Sequence, residues 1–294
     1  MLKNHIPLKE VYTIIVTFNG QKWIRKCLES LAHSTYPTKV IIIDNNSSDG
    51  TLQIISEFPN VLLLKQEYNL GFGKANNIGI QKAIELQAIY IFLLNQDTFI
   101  YTNTIESLIL EAEKNPEFGI ISPLHFSIDE KTLDNNFSTY LNRQIESKNE
   151  IKVVPFVNAA AWFLPIQCVK KVGFFEEWFS HYGEDRNYCN RVLFHNFKIG
   201  ITEKSKIVHD RIIKRNFNKD KIQSKYSILA TFLNVNQDLS TASCLAFKQV
   251  FGLSKYFITY YSFNKIINLL LTLISYYFEL ILNFKKIKQK RGNY

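Results

Sequence analysis

The sequence predicts an α/β fold, a mostly parallel sheet flanked by helices and followed by a helical C-terminal extension. Three observations carry this. Short, fully apolar runs alternate with helix-like segments over the first ~100 residues, which is the pattern of βαβ units. Four successive apolar runs end in polar, turn-forming residues, where the ligand-facing strand ends of such a sheet lie. Beyond residue 226 the pattern is helical, with no further cluster of that kind.

The elements follow in order. Val11–Val16 is β-branched, as a strand buried on both faces should be. Lys22–His33 carries Trp23, Cys27, Leu28 and Leu31 at helical spacing. Val40–Ile43 is a second strand ending at Asp44, and Thr51–Phe58 a short helix stopped by Pro59. Val61–Leu64 is a third strand, Ala75–Leu86 a helix and Tyr90–Leu94 a fourth strand. Residues 127–150 are polar and read as a mobile loop or insertion, and apolar structure resumes from Val153 to about Val208. The segment 204–225 is strongly basic.

Composition bounds the function. At 294 residues, 46% hydrophobic and 21% charged, the chain suits one large domain or a domain with an appendage. Cys27, Cys168, Cys189 and Cys244 are scattered without a C-x-x-C pair, which fits a reducing compartment and neither a disulfide framework nor a zinc site. The N-terminus enters the first strand with no apolar secretory core, so the expected location is cytoplasmic or attached from the cytoplasmic side. The net charge of +9 is uneven: residues 1–150 hold 13 Lys+Arg against 17 Asp+Glu, and residues 151–294 hold 22 against 9. Such a basic half suits nucleic acid, anionic lipid or a phosphorylated substrate, or is simply a solvated face. No helix-turn-helix, zinc-finger or RNP-like pattern accompanies it, which argues against nucleic acid.

The strand ends are Thr17-Phe18-Asn19, Asp44-Asn45-Asn46-Ser47-Ser48-Asp49-Gly50, Asn69-Leu70-Gly71-Phe72-Gly73 and Asn95-Gln96-Asp97. Asp44 is placed to accept hydrogen bonds from ribose or base, or to make an Asx-turn. Gly71 lets backbone approach a ligand closely, or serves an ordinary strand-to-helix turn. Gly71-Phe72-Gly73-Lys74-Ala75-Asn76 does not complete G-x-G-x-x-G, which excludes a dehydrogenase fingerprint.

Together with Tyr182-Gly183-Glu184-Asp185, these stretches stand in an order that resembles the motif series of family-2 inverting glycosyltransferases with the GT-A fold, especially the rhamnosyltransferase-like branch. The resemblance spans roughly residues 10–210. It implies a GT-A catalytic domain over 1–225, with a nucleotide-sugar part (1–100) and an acceptor part (101–225), and an extension over 226–294. Thr17, Phe18, Asn19, Asp44, Asn46, Asn69, Gly71, Asn95 and Asp97 would then bind the donor. Asp97 would hold Mg²⁺ or Mn²⁺ against the diphosphate, since a divalent ion neutralises such a leaving group. His209 stands where GT-A enzymes often supply a second ligand, although a lone histidine is more often structural. The resemblance places the general base in the Glu184–Asp185 pair, on Asp185, with Glu184 orienting a neighbour or contacting the acceptor. The alternative for both is a helix N-terminus.

Several positions depart from the family pattern. Asn95-Gln96-Asp97 keeps one carboxylate of an acidic motif, Ala159-Ala160 replaces Gly-Ala, Pro165 lies near an often basic position, and Asn187 stands where a second acid often follows. They bear on acceptor and sugar rather than on reaction class. Trp162, Trp178 and Phe179 are stacking candidates for sugar rings or core residues. A sugar nucleotidyltransferase is a rival reading, but Thr17-Phe18-Asn19-Gly20-Gln21 lacks its Gly-rich basic loop. A non-catalytic glycan- or membrane-binding protein on the same fold is another, supported only by the incomplete acidic motif.

Ile266–Leu282 is apolar, with Asn268, Thr272, Ser275, Glu279 and Asn283 in one narrow stripe. At ~17 residues a full membrane span is marginal. With the basic stretch 285–291 behind it, the segment fits docking on an anionic inner-membrane surface. The alternative is a helix packed on the catalytic domain or in a homodimer, with a solvated tail. The expected partners are a nucleotide-diphosphate sugar and a glycan or lipid-linked glycan acceptor.

Overall fold

The computed structural model describes residues 9–211 and 215–294; the first eight residues, and 212–214 within the basic segment, lie outside it. Strands and helices alternate first as β1 (Val11–Thr17), α1 (Ile24–Ala32), β2 (Lys39–Asp44), α2 (Thr51–Ile55), β3 (Val61–Lys65), α3 (Phe72–Glu85) and β4 (Tyr90–Leu94). Next come β5 (Thr98–Ile100), α4 (Thr104–Lys114), β6 (Phe118–Phe126), α5 (Asn135–Leu141), β7 (Glu146–Lys148), β8 (Ile151–Val153) and β9 (Ala161–Pro165). Then follow α6 (Ile166–Val172), α7 (Glu184–Phe194) and β10 (Lys198–His209). Four helices end the chain: α8 (Phe217–Phe232), α9 (Leu239–Phe257), α10 (Phe263–Leu282) and α11 (Phe284–Gly292).

One ten-stranded sheet organises the catalytic part in the order β3-β2-β1-β4-β9-β6-β10-β8-β7, with β5 paired to β10. The first four strands are parallel, as their apolar runs require. The sheet as a whole is mixed, because β9 runs antiparallel between β4 and β6. Side-chain alternation divides the core between the faces. Ile41 and Ile43 pack with Ala75, Ile80 and Ala83 of α3, whereas Ile42 packs with Cys27, Leu28 and Leu31 of α1.

Three expectations are corrected. Helix α3 begins at Phe72 rather than Ala75, because Gly71 turns the chain at φ +82° as its N-cap. The polar segment 127–150 is built structure: α5 is capped by Asp134, which accepts from the Asn136 and Phe137 amides, and the β7–β8 hairpin follows. The basic C-terminal stretch is helix α11, folded back on the body. Ile287 is buried, Lys290 pairs with Glu176 at 3.1 Å, Arg291 donates to the Phe232 and Gln237 carbonyls, and the Tyr294 hydroxyl donates to Glu176.

Position 225 falls inside α8, so the helical region starts at 217. Its core includes Phe179, together with Ile228, Phe232, Val250, Leu269 and Leu273. The Tyr226 hydroxyl also bonds Ser180 through its hydroxyl and amide. The loop that precedes Glu184 is therefore anchored on the C-terminal helices.

Candidate active site

The carboxyl ends of β1, β2 and β4 open on a groove of about 580 Å³. Phe18, Asn69, Gly71, Asn95 and Asp97 line it, joined by Asn45, Gln96, Ser180 and His181. Thr17, Asn19, Asp44 and Asn46 do not line it. Asn19 accepts from the Ser48 amide and its own amide donates to Ser47 Oγ, stitching the first strand-end loop to the second. Asn46 takes a left-handed turn at φ +67°.

Gln96, between Asn95 and Asp97, ties two strand ends together. Its Oε1 accepts from Thr17 Oγ1 at 2.6 Å and from the Phe18 amide at 3.1 Å, while its Nε2 donates to the Phe18 carbonyl at 3.2 Å. The amide side chain pairs with a peptide unit as a strand would, which a carboxylate cannot do without a donor. It clamps the β4 end to the β1 end.

Asp44 makes the turn contact that is one of its two expected roles. It is 1% exposed; one oxygen accepts from the Ser47 amide at 3.1 Å, and the other has no partner. A buried carboxylate oxygen without a donor is costly unless a ligand supplies one. Asn45, which sequence reasoning passed over beside it, donates to the Gly71 carbonyl and accepts from the Leu70 amide. Gly71 itself cannot change: a Cβ there would stand 1.8 Å from the Ser180 carbonyl oxygen.

Strand register brings the next pair together. β10 runs antiparallel to β5 with His209 opposite Thr98, and the Asp210 amide donates to the Asp97 carbonyl. His209 Nε2 consequently lies 3.4 Å from Asp97 Oδ1. The imidazole is 3% exposed, and its Nδ1 has no hydrogen-bond partner, lying 3.8 Å from Asp134 Oδ2. Burial pushes the Asp134 carboxyl up, but two bonds from Arg211 at 2.8 and 2.6 Å hold it below its usual value. Asp134 therefore stays ionised behind His209. His125, stacked on Phe137 at 4.1 Å and 6.0 Å from His209, is kept neutral by burial and then by the neighbouring His209 and Arg211. Carboxylate and imidazole side by side, with no second cation between them, form a donor set suited to a divalent ion whose remaining ligands come from a diphosphate.

Helix α7 positions the carboxylate pair. Tyr182 and Gly183 both have positive φ, turning the chain sharply so that α7 begins at Glu184. Glu184 is 4% exposed with Oε2 unpartnered, 3.6 Å from where a Cβ on Gly73 would sit. Burial, then the Asp185 charge, raises its carboxyl to about 8. Asp185 is half-buried and also raised by burial, opposed by its bond from the Arg186 amide at 2.7 Å and by the Arg186 guanidinium. Helix-terminus stabilisation, about 0.3–1 kcal/mol for an exposed carboxylate, is outweighed by desolvation at both residues.

Because Glu184 holds its proton in the folded state well above its ordinary value near 4.5, folding binds a proton between those pH values and stability falls as pH rises toward about 8. Glu184→Gln removes the ionisation. The variant is expected to match the native chain near pH 5 and to exceed it by roughly 2–4 kcal/mol above pH 8. Thermal melts across that range check this; parallel curves would disprove it.

Of the aromatic candidates, Trp162 and Phe179 are core residues and only Trp178 is accessible.

Fold and groove together define a GT-A glycosyltransferase. The model of the family "Glycosyl transferase family 2" matches residues 12–173, and the chain belongs to that family. Among curated relatives it is 24% identical over 220 residues to the glycosyltransferase GlyG of Streptococcus pneumoniae, covering 70% of each. It is 31% identical over 121 residues to the N-acetylglucosaminyl-diphospho-decaprenol L-rhamnosyltransferase of Mycobacterium tuberculosis, covering 38% of this chain and 39% of that one. Two solved structures share the fold. Staphylococcus aureus TarS 1–349 in complex with UDP-GlcNAc has a TM-score of 0.66 at 16% identity, over 91% of this chain and 81% of that one. The mannosyltransferase PcManGT of Pyrobaculum calidifontis, in complex with GDP-Man and Mn²⁺, has a TM-score of 0.63 at 14% identity, over 96% and 84%.

Proposed function

We propose that the chain transfers a hexose or deoxyhexose, with inversion, from a nucleotide-diphosphate donor to a hydroxyl of a glycan or lipid-linked glycan in cell-surface polysaccharide synthesis. The observation that carries this is the Asp97–His209 pair at a groove that is also lined by Ser180 and His181, a few residues before the Glu184–Asp185 carboxylates.

The free Asp44 oxygen is suited to accept the imide N–H of a uracil or thymine base, with Phe18 beside it, which favours UDP- or dTDP-sugars; dTDP-rhamnose is the first donor to test. Asp97 and His209 hold Mg²⁺ or Mn²⁺. That ion, when bound, offsets the diphosphate charge that grows as the glycosidic bond breaks. Asp185 accepts the acceptor's hydroxyl proton while that oxygen bonds to C1 and the nucleoside diphosphate leaves from the opposite face. Its raised proton affinity makes it a stronger base than an ordinary carboxylate. Glu184, held neutral, is a donor to the acceptor rather than a second base.

A thermal-shift titration against UDP, dTDP, GDP and CDP, each with and without Mn²⁺, tests the donor half. A matching nucleotide at ~100 times its Kd stabilises by about 2.7 kcal/mol with the ion, and by less without it. No shift with any nucleotide would overturn the assignment of Asp44 and Asp97.

A further inference from the structure

The outer face of the C-terminal helices is apolar and uncovered. On α10, Leu269, Leu273 and Leu280 face the other helices, while Phe263, Ile267, Leu271, Phe278 and Leu282 are exposed, the last by 86%. The exposed set recurs every four or seven residues, one stripe along a helix roughly 30 Å long. Helix α9 extends it sideways: Phe247 and Phe251 are exposed and meet edge-on at 5.3 Å, and Phe247 meets Tyr277, which meets Phe278. A contiguous apolar surface of this kind marks an interaction site.

Charge says with what. Residues 239–294 carry eight Lys and Arg against one acid, Glu279. Lys290 and Arg291 are taken up by the body of the protein. Lys248 and Lys255 are exposed beside Phe251 on α9, and Lys285, Lys286 and Lys288 are exposed just past Leu282; none makes an ion pair among the described residues. Two copies joined through this face would bring like charges together. An anionic lipid headgroup layer meets both the stripe and the lysines.

We propose that α9 and α10 lie flat on an anionic bilayer, with the stripe at the headgroup–acyl boundary and these five lysines on the headgroups. The α10 helix is apolar and long enough to cross a membrane. Crossing, however, would strip Leu269, Leu273 and Leu280 from α8 and α9, whereas lying flat keeps them buried. The proposal depends on no particular donor or acceptor, and its readout needs no sugar transfer.

The test is flotation of the full chain with phosphatidylcholine vesicles, with and without phosphatidylglycerol. Binding is expected only to the anionic vesicles and lost on adding salt. Lys285→Gln, Lys286→Gln and Lys288→Gln together should weaken it about a hundredfold, near fivefold per charge. Leu271→Ser with Phe278→Ser should abolish it, with the melting curve little changed because both side chains are more than half exposed. Absence of binding to anionic vesicles, or equal binding to neutral ones, overturns the proposal. So does a chain that sediments as a dimer and becomes monomeric in the serine variant, which would make the face a self-association surface.

Discussion

Replacing Asp185 by asparagine is expected to lower kcat about a thousandfold while leaving the nucleotide Kd within about twofold. The change is isosteric. The asparagine oxygen still accepts from the Arg186 amide, which Asp185 does at 2.7 Å, so the first turn of α7 keeps its geometry. Only proton affinity is lost. Nucleoside diphosphate release in a transfer assay reads the first quantity, and a nucleotide titration of the same variant reads the second. A helix-capping role alone predicts the opposite pattern: activity nearly kept and stability lower by up to ~1 kcal/mol. Loss of nucleotide binding with activity would show that Asp185 shapes the groove and is not the base. The native pH profile adds a check. Burial raises the Asp185 carboxyl, so kcat/KM should fall as pH drops through its raised titration, and this acid limb should vanish from the residual activity of the variant.

The nucleotide half of the fold was legible because each strand is locally complete. Val11–Thr17 and Tyr90–Leu94 are buried along almost their whole length, so hydrophobicity alone marks them, and β4 falls where the sequence places it. The candidate site was legible where turn chemistry marks it: Asp44 accepts from the Ser47 amide and Asn69 from the Gly71 amide. What local pattern could not show is what comes from distant chain segments. Gln96 carries no signal of its own in Asn95-Gln96-Asp97 until its partners, 78 and 79 residues away, are seen. Asp134 lies in a polar stretch with no catalytic pattern, and only the β5–β10 register and the neighbouring Arg211 place it behind His209. Ser180 and His181 gave no signal beyond preceding the Glu184–Asp185 pair. The basic C-terminal stretch, seven residues with five positive charges, reads as solvated, yet Ile287, Lys290 and Arg291 tie it down.

Asp97 and His209 provide the second large effect, and their joint replacement is the sharper test. If both bind one ion, either loss alone removes most of the benefit. Asp97→Asn is expected to lower kcat/KM by two to three orders of magnitude, His209→Gln by about tenfold to a hundredfold, and the double variant by little more than Asp97→Asn alone. Nucleotide titration separates this from structural damage. In Asp97→Asn the stabilisation by nucleotide should no longer differ with and without Mn²⁺, and what remains should equal the metal-free shift of the native chain. The alternative is that the 3.4 Å approach of His209 to Asp97 is an ion pair that fixes β10 to the β4 end. In that case either substitution lowers the melting temperature, the losses of activity follow stability, and Mn²⁺ dependence survives in both single variants.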